Sequence, residues 1–195
     1  SYNLGRGIHA DGDLFIVGES GYNSATGRAR IYKYDGLDWN LETYLTPSDG
    51  VSGDKFSGNS VYINGTTAFV SSYEHNTNRG KAYVYDFDGD SWNETAILTQ
   101  SAPANGDRFG WGGAIIDGDT MFIPISERNN GSGGVYVFKK VASVWTEDAL
   151  LTPDDGSFNS YFGYAIGYNG TDLLITRRND DRDGTDKGSA YIFRE

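Results

Sequence analysis

The chain has no cysteine, which excludes disulfides, zinc–thiolate centres and thiol catalysis. Histidine occurs only as His9 and His75, far apart in sequence. That leaves no histidine cluster, no His-Glu-x-x-His motif and no Ser-His-Asp set. No Gly-x-x-x-x-Gly-Lys phosphate loop occurs, and no stretch approaches the roughly 18 apolar residues of a membrane span. Positive charge is scarce: 16 Lys and Arg face 27 Asp and Glu, for a net charge of -11. Such a surface repels nucleic acid and anionic lipid, so neither nucleic-acid binding nor membrane insertion is expected. There is no signal-peptide pattern and the first residue is Ser1, as in a mature, processed or excised piece.

What is present is aromatic and glycine-rich: 14 Tyr, 10 Phe, 4 Trp and 27 Gly. That composition suits short strands joined by tight turns. It is also periodic. Trp39, Trp92 and Trp145 recur at intervals of 53, as do Leu45-Thr46, Leu98-Thr99 and Leu151-Thr152. Gly12, Gly65, Gly118 and Gly170 step by 53, 53 and 52; Gly27, Gly80, Gly133 and Gly188 step by 53, 53 and 55. Landmarks that keep one register mark a repeat architecture.

Each unit reads as four strands, A to D. Strand A follows an aromatic start, Phe109-Gly110 and Phe162-Gly163, degenerate as Phe56-Ser57 and Asn3-Leu4. Next comes Asp11-Gly12, Asn64-Gly65, Asp117-Gly118 or Asn169-Gly170. These pairs predict type I′ hairpins with positive φ at both residues. Strand B is an unbroken apolar run (Leu14 to Val17, Ala68 to Val70, Met121 to Ile123, Leu173 to Ile175), which predicts burial on both faces. Strand C is Ala29 to Tyr34, Ala82 to Phe87, Val135 to Phe138 and Ala190 to Phe193; strand D opens with the tryptophan. The three tryptophans should therefore hold one structural position on successive outer strands. The prediction is a single all-β domain over 1–195, a β-propeller of four four-stranded antiparallel blades. Its repeats are 1–54, 55–107, 108–160 and 161–195, the last lacking its outer strand. A flat sandwich would give no reason for the strict register. The strand at 189–194 should then present an edge, covered by a strand or subunit of a neighbour or by sequence outside this piece.

The unit runs Phe-Gly, Gly-Asp turn, apolar strand, Gly-x-Tyr-x-Phe, Trp, Leu-Thr-Pro. The third unit carries it best: Phe109-Gly110, Gly118-Asp119, Gly134 to Phe138, Trp145 and Leu151-Thr152-Pro153, with Asp155-Gly156 after it. This resembles the FG-GAP repeat family in the form found on microbial extracellular and surface proteins, and the resemblance covers essentially the whole chain. It implies a β-propeller, distantly like the integrin α head, an extracellular or cell-surface location, and adhesion or ligand binding rather than catalysis. Integrin-type repeats hold calcium in an Asp-x-Asp-x-Asp-Gly-x-x-Asp loop between strands A and B. Here those connections are short turns such as Asp11-Gly12-Asp13 and Asn64-Gly65-Thr66, with too few carboxylates for the six to eight oxygens of calcium. The family's metal sites do not carry over.

No other cofactor is indicated, but one loop has calcium-like spacing. Asn179, Asp181 and Asp183 alternate ahead of Gly184, and Asp186 follows, as in the first half of a calcium loop. Arg182 and Lys187 oppose that reading, and no Glu closes the loop. The B–C and D–A loops should emerge together on one side. Tyr22, Tyr73, His75, Arg128, Arg177 and Arg178 lie there as candidate contacts for a glycan or protein ligand. Asn64, Asn93, Asn130 and Asn169 head Asn-x-Ser/Thr sequons and are candidate glycosylation sites if the chain is secreted by a eukaryote. The expected function is a non-enzymatic extracellular binding or adhesion module. The alternatives are a structural subunit of a surface appendage or filament, and a hydrolase using a carboxylate pair over a central channel.

Overall fold

The computed structural model describes residues 3–154, 158–180 and 187–194. Those residues form four antiparallel sheets, each a simple meander. The first is β1 (Leu4–Asp11), β2 (Leu14–Glu19), β3 (Arg28–Tyr34) and β4 (Trp39–Leu45). The second is β5 (Val61–Asn64), β6 (Thr67–Ser72), β7 (Lys81–Phe87) and β8 (Trp92–Leu98). The third is β9 (Ile115–Asp117), β10 (Thr120–Pro124), β11 (Val135–Val141) and β12 (Val144–Leu151). The fourth holds β13 (Phe162–Tyr168), β14 (Asp172–Arg177) and β15 (Ser189–Arg194), with β15 last in the order. No helix among the described residues is long and apolar enough to cross a membrane.

In the A–B turns of the first three sheets the glycine acts one place earlier than expected. Asp11 pairs with Leu14, Asn64 with Thr67 and Asp117 with Thr120. The two central residues are thus Gly12-Asp13, Gly65-Thr66 and Gly118-Asp119, and only the glycines have positive φ, 52 to 53°. Positive φ at the first central residue alone is the type II′ pattern, not the type I′ one; both match the strand twist.

The core lies between sheets. Along strand B, side chains alternate between a front, toward the preceding sheet, and a back, toward the following one. Ile16 and Ile31 on the back of the first sheet pack with Val61, Ala68 and Val70 on the front of the second. Phe69 and Val84 on the next back pack with Ala114, Met121 and Ile123. Phe122 and Val137 pack with Leu173 and Ile175. The strand B runs of the second and third sheets are buried on both faces, as their unbroken apolar sequence predicts. Each such Val, Ile, Met or Phe side chain contributes about 1.5–3 kcal/mol of burial. The tryptophans hold equivalent places, paired to Tyr34, Phe87 and Lys140.

A second element fastens the sheets at the loop side. Each B–C loop of the first three sheets contains a single turn, Tyr22–Ala25, His75–Asn78 or Arg128–Gly131. Its last three residues lie in the left-handed region, with φ of 47 to 75°. Runs of that kind are costly for L-residues, least so for Asn and Gly. Here Asn23, Asn76 and Asn129 each open the run. The conformation turns carbonyls toward the next sheet, and that sheet's aromatic start takes them. Phe56 N donates to Thr26 O at 3.0 Å, Phe109 N to Arg79 O at 3.0 Å and Phe162 N to Ser132 O at 3.3 Å. One residue earlier, Lys55, Arg108 and Tyr161 donate to Ala25, Asn78 and Gly131. Gly27, Gly80 and Gly133 follow the turns with φ of 80 to 90°, and a Cβ on any of them would overlap the backbone of Phe56, Phe109 or Phe162. The phenylalanine rings are fully buried. They lie edge-on to Tyr83, Tyr136 and Tyr191, with ring centres 5.2 to 5.8 Å apart. Phenylalanine and glycine landmarks in adjacent units are therefore two halves of one clasp.

Candidate functional site

The loop side carries the charged and aromatic residues, but most of them are engaged within the fold. Tyr22, His75 and Arg128 occupy the same position in three successive left-handed turns. Tyr22 lies under the Arg28 guanidinium, 3.8 Å from its ring centre. His75 Nδ1 is 3.1 Å from the buried Asp54 carboxylate, which comes from the loop leading into the same sheet. Lys55 and Glu74 pair beside it at 2.8 Å. Arg128 donates to the Tyr136 hydroxyl, and its Nε is buried without an acceptor. Tyr73 and Arg177 correct the expectation of solvent-facing ligand contacts: both are buried. Arg177 bonds Tyr191 at 3.3 Å and faces Asp180 at 3.7 Å. Arg178 stands over the Tyr164 ring. The six residues are thus spread over all four sheets and do not converge on one place.

The first sheet replaces the aromatic contact with an ionic one. Asn3 stands where the later sheets have phenylalanine, and Arg30 where they have Tyr83, Tyr136 and Tyr191. Glu19, almost fully buried, accepts from Arg28 Nε at 2.6 Å and from Arg30 Nη2 at 2.9 Å. Burial pushes the Glu19 carboxyl up, but the hydrogen bonds and charges of Arg28 and Arg30 outweigh it and hold the group below its ordinary 4.5. A carboxyl lowered in the folded state adds stability that is present above its unfolded value and is lost as pH falls through the folded one. Glu19→Gln should therefore cost about 2 kcal/mol near neutrality, discounted for the partly exposed guanidinium groups. Its melting temperature should also fall less steeply than the parent's from pH 6 to pH 3. Parallel curves would mean the pair contributes nothing.

A groove of roughly 440 Å³ runs between the 104–107 loop, the left-handed turn of the third sheet, and Asn159 and Tyr161 of the fourth sheet's entry. Asn105, Asn129, Asn130 and Asn159 are exposed along it, with Tyr161 and Glu127 half-buried. Arg79 Nε donates to Asn105 Oδ1 at 2.9 Å. The buried Asp107 accepts from Gln100 Nε2 at 2.9 Å and from Ala104 N at 2.7 Å, which shapes the loop. Each exposed amide offers both donors and an acceptor. Sequence reading took Asn130 only as a sequon and passed over the other three. The signal was the in-register Asn of the turns, followed four residues later by Gly.

Of the remaining sequons, Asn64 Nδ2 donates to Ile116 O, Asn93 Nδ2 to Asp88 Oδ2, and Asn169 Oδ1 accepts from Thr171 and Asp172 N–H. These three amides serve turns and strand contacts. Of the calcium-spaced residues, Asp181, Asp183 and Asp186 lie outside the described residues, and Asn179 N donates to Ser160 O. Among the described residues, no group of three or more His, Asp or Glu could hold a metal ion.

The FG-GAP repeat family model matches residues 39–85 and 145–193. The chain carries FG-GAP repeats. Each matched span opens at a tryptophan, on β4 or β12, and runs through the first three strands of the next sheet. The FG-GAP unit therefore straddles a joint between two sheets and contains the Phe56 or Phe162 half of a clasp. FG-GAP repeats are typical of extracellular adhesion or binding modules and are generally non-enzymatic. A comparison with curated proteins finds no match.

Proposed function

We propose that the four sheets are consecutive blades of a β-propeller, and that the chain is a non-enzymatic extracellular binding module. Its ligand is a glycan or a protein, seated in the loop-side groove at Asn105, Asn129, Asn130, Asn159 and Tyr161. The observation that carries this reading is the amide-lined groove itself. Paired donors and acceptors suit vicinal hydroxyls, and a half-buried tyrosine offers a flat apolar surface to a sugar ring, which favours the glycan.

The test is a glycan array with the parent chain and an Asn129→Ala, Asn159→Ala double variant. The expected result is a defined set of glycans bound by the parent and lost, by tenfold or more, in the double variant. Binding that survives intact in the double variant, or reducing ends released on the array, would overturn the proposal. The calcium proposal for Asn179, Asp181, Asp183 and Asp186 is separate. Calorimetry with calcium supports it if heat is released, and absence of heat with an unchanged melting temperature removes it.

A further inference from the structure

Every joint between neighbouring sheets pairs a back with a front, and one of each is left over. On the front of the first sheet, Ile8 is 69% exposed, Trp39 41% and Phe15 38%. Their counterparts in the next sheet are Val61, Trp92 and Ala68, of which Val61 and Ala68 are buried and Trp92 packs against the same core. On the back of the fourth sheet, Ile192 is 70% exposed and Leu174 42%. Their counterparts, Ile31, Val84 and Val137, and Ile16, Phe69 and Phe122, are all buried. Strand registers establish the equivalence: Leu174 pairs with Ile192 as Ile16 pairs with Ile31 and Phe69 with Val84. The same positions are thus covered three times over and open at both ends.

We infer that these two faces are the two halves of one more joint, and that a second copy of this chain fills it head to tail. The inference goes beyond the loop-side reading and does not depend on it. Three features favour a second copy. The open faces continue an interface the chain already makes three times. The sizes also match: the third joint sets Phe122 on the back with Leu173 on the front. The open joint would set Leu174 on the back against Phe15 on the front, the same two side chains exchanged, and such volume-conserving swaps are well tolerated. A shallow apolar cavity of roughly 340 Å³, lined by Ile8, His9, Ala10, Phe15, Ile16 and Val17, is available to receive Leu174 and Ile192. Finally, both halves lie on one chain, and within that chain they remain exposed rather than meeting each other. Contacts of this heterologous kind close into a ring or continue as a series.

The test uses the chain with Ile8→Asp on the front or Ile192→Asp on the back. Both side chains are largely exposed in the single copy, so both variants should fold, with the parent's circular dichroism. Sedimentation is expected to show concentration-dependent association of the parent, weakened at least 100-fold in each variant. An equimolar mixture of the two variants should associate again, because one keeps an intact back and the other an intact front. A parent that stays monomeric at high micromolar concentration would overturn the second copy as occupant. It would leave the faces to further sheets of the same or another polypeptide. Association lost in only one variant, or in neither, would also overturn it, because a head-to-tail joint needs both faces.

Discussion

Gly133→Ala is expected to destabilise the chain by about 4 kcal/mol, the sum of left-handed backbone strain and overpacking. Gly133 has φ of 83°, and its missing Cβ is the space occupied by the Phe162 carbonyl. An alanine there must either force its own backbone away or push the fourth sheet off the third. Either response breaks the bonds from Phe162 N to Ser132 O and from Gly134 N to Phe162 O. Gly36 is the control. Its φ is 101°, but nothing lies within 4 Å of a Cβ built on it. Gly36→Ala should therefore cost only backbone strain, about 1 kcal/mol. Thermal melts of the two variants make the comparison. Equal losses would mean that backbone conformation, and not the approach of Phe162, explains the glycine at position 133.

Phe109→Ala should be as damaging from the other half of the clasp. The ring is fully buried in the largest core cluster, edge-on to Tyr136 and near Phe138, with centres 5.8 and 6.1 Å away. Truncation removes the ring and leaves a cavity between the second and third sheets, a change that costs about 3–5 kcal/mol. For a chain of this size that lowers the melting temperature by about 10 °C. Phe109→Leu should recover more than half of the loss, because it fills most of the cavity. A loss below about 1 kcal/mol for alanine would place the ring outside the joint.

The repeat, the strand order and the register of the tryptophans were all legible in the sequence. Hydrophobic runs and turn residues act locally, and the 53-residue spacing copies them three times. Asn64-Gly65 and its counterparts were legible as turns but not as to type, because the strand register decides which residues are central, and register is set by tertiary pairing. The loop residues were misjudged for a related reason. Tyr73 and Arg177 are large and polar, so sequence places them in solvent, yet both are buried, Tyr73 beside Gly58 and Arg177 against Tyr191 and Asp180. The clasp itself is written in the sequence as Asn23, Asn76 and Asn129 with Gly27, Gly80 and Gly133. Its meaning depends on the next unit's phenylalanine, a partner that lies about 30 residues further on and is fixed only by packing.

That the loop side fastens one sheet to the next, leaving recognition to the groove between fastenings, is tested most directly by native-state hydrogen exchange at three amides. Phe56, Phe109 and Phe162 N–H each donate to a left-handed turn of the preceding sheet. They should exchange as slowly as the amides of β6 and β10, through global unfolding rather than local opening. Exchange at the fast rate of exposed loop amides would contradict the clasp, and with it the assignment of these loops to structure.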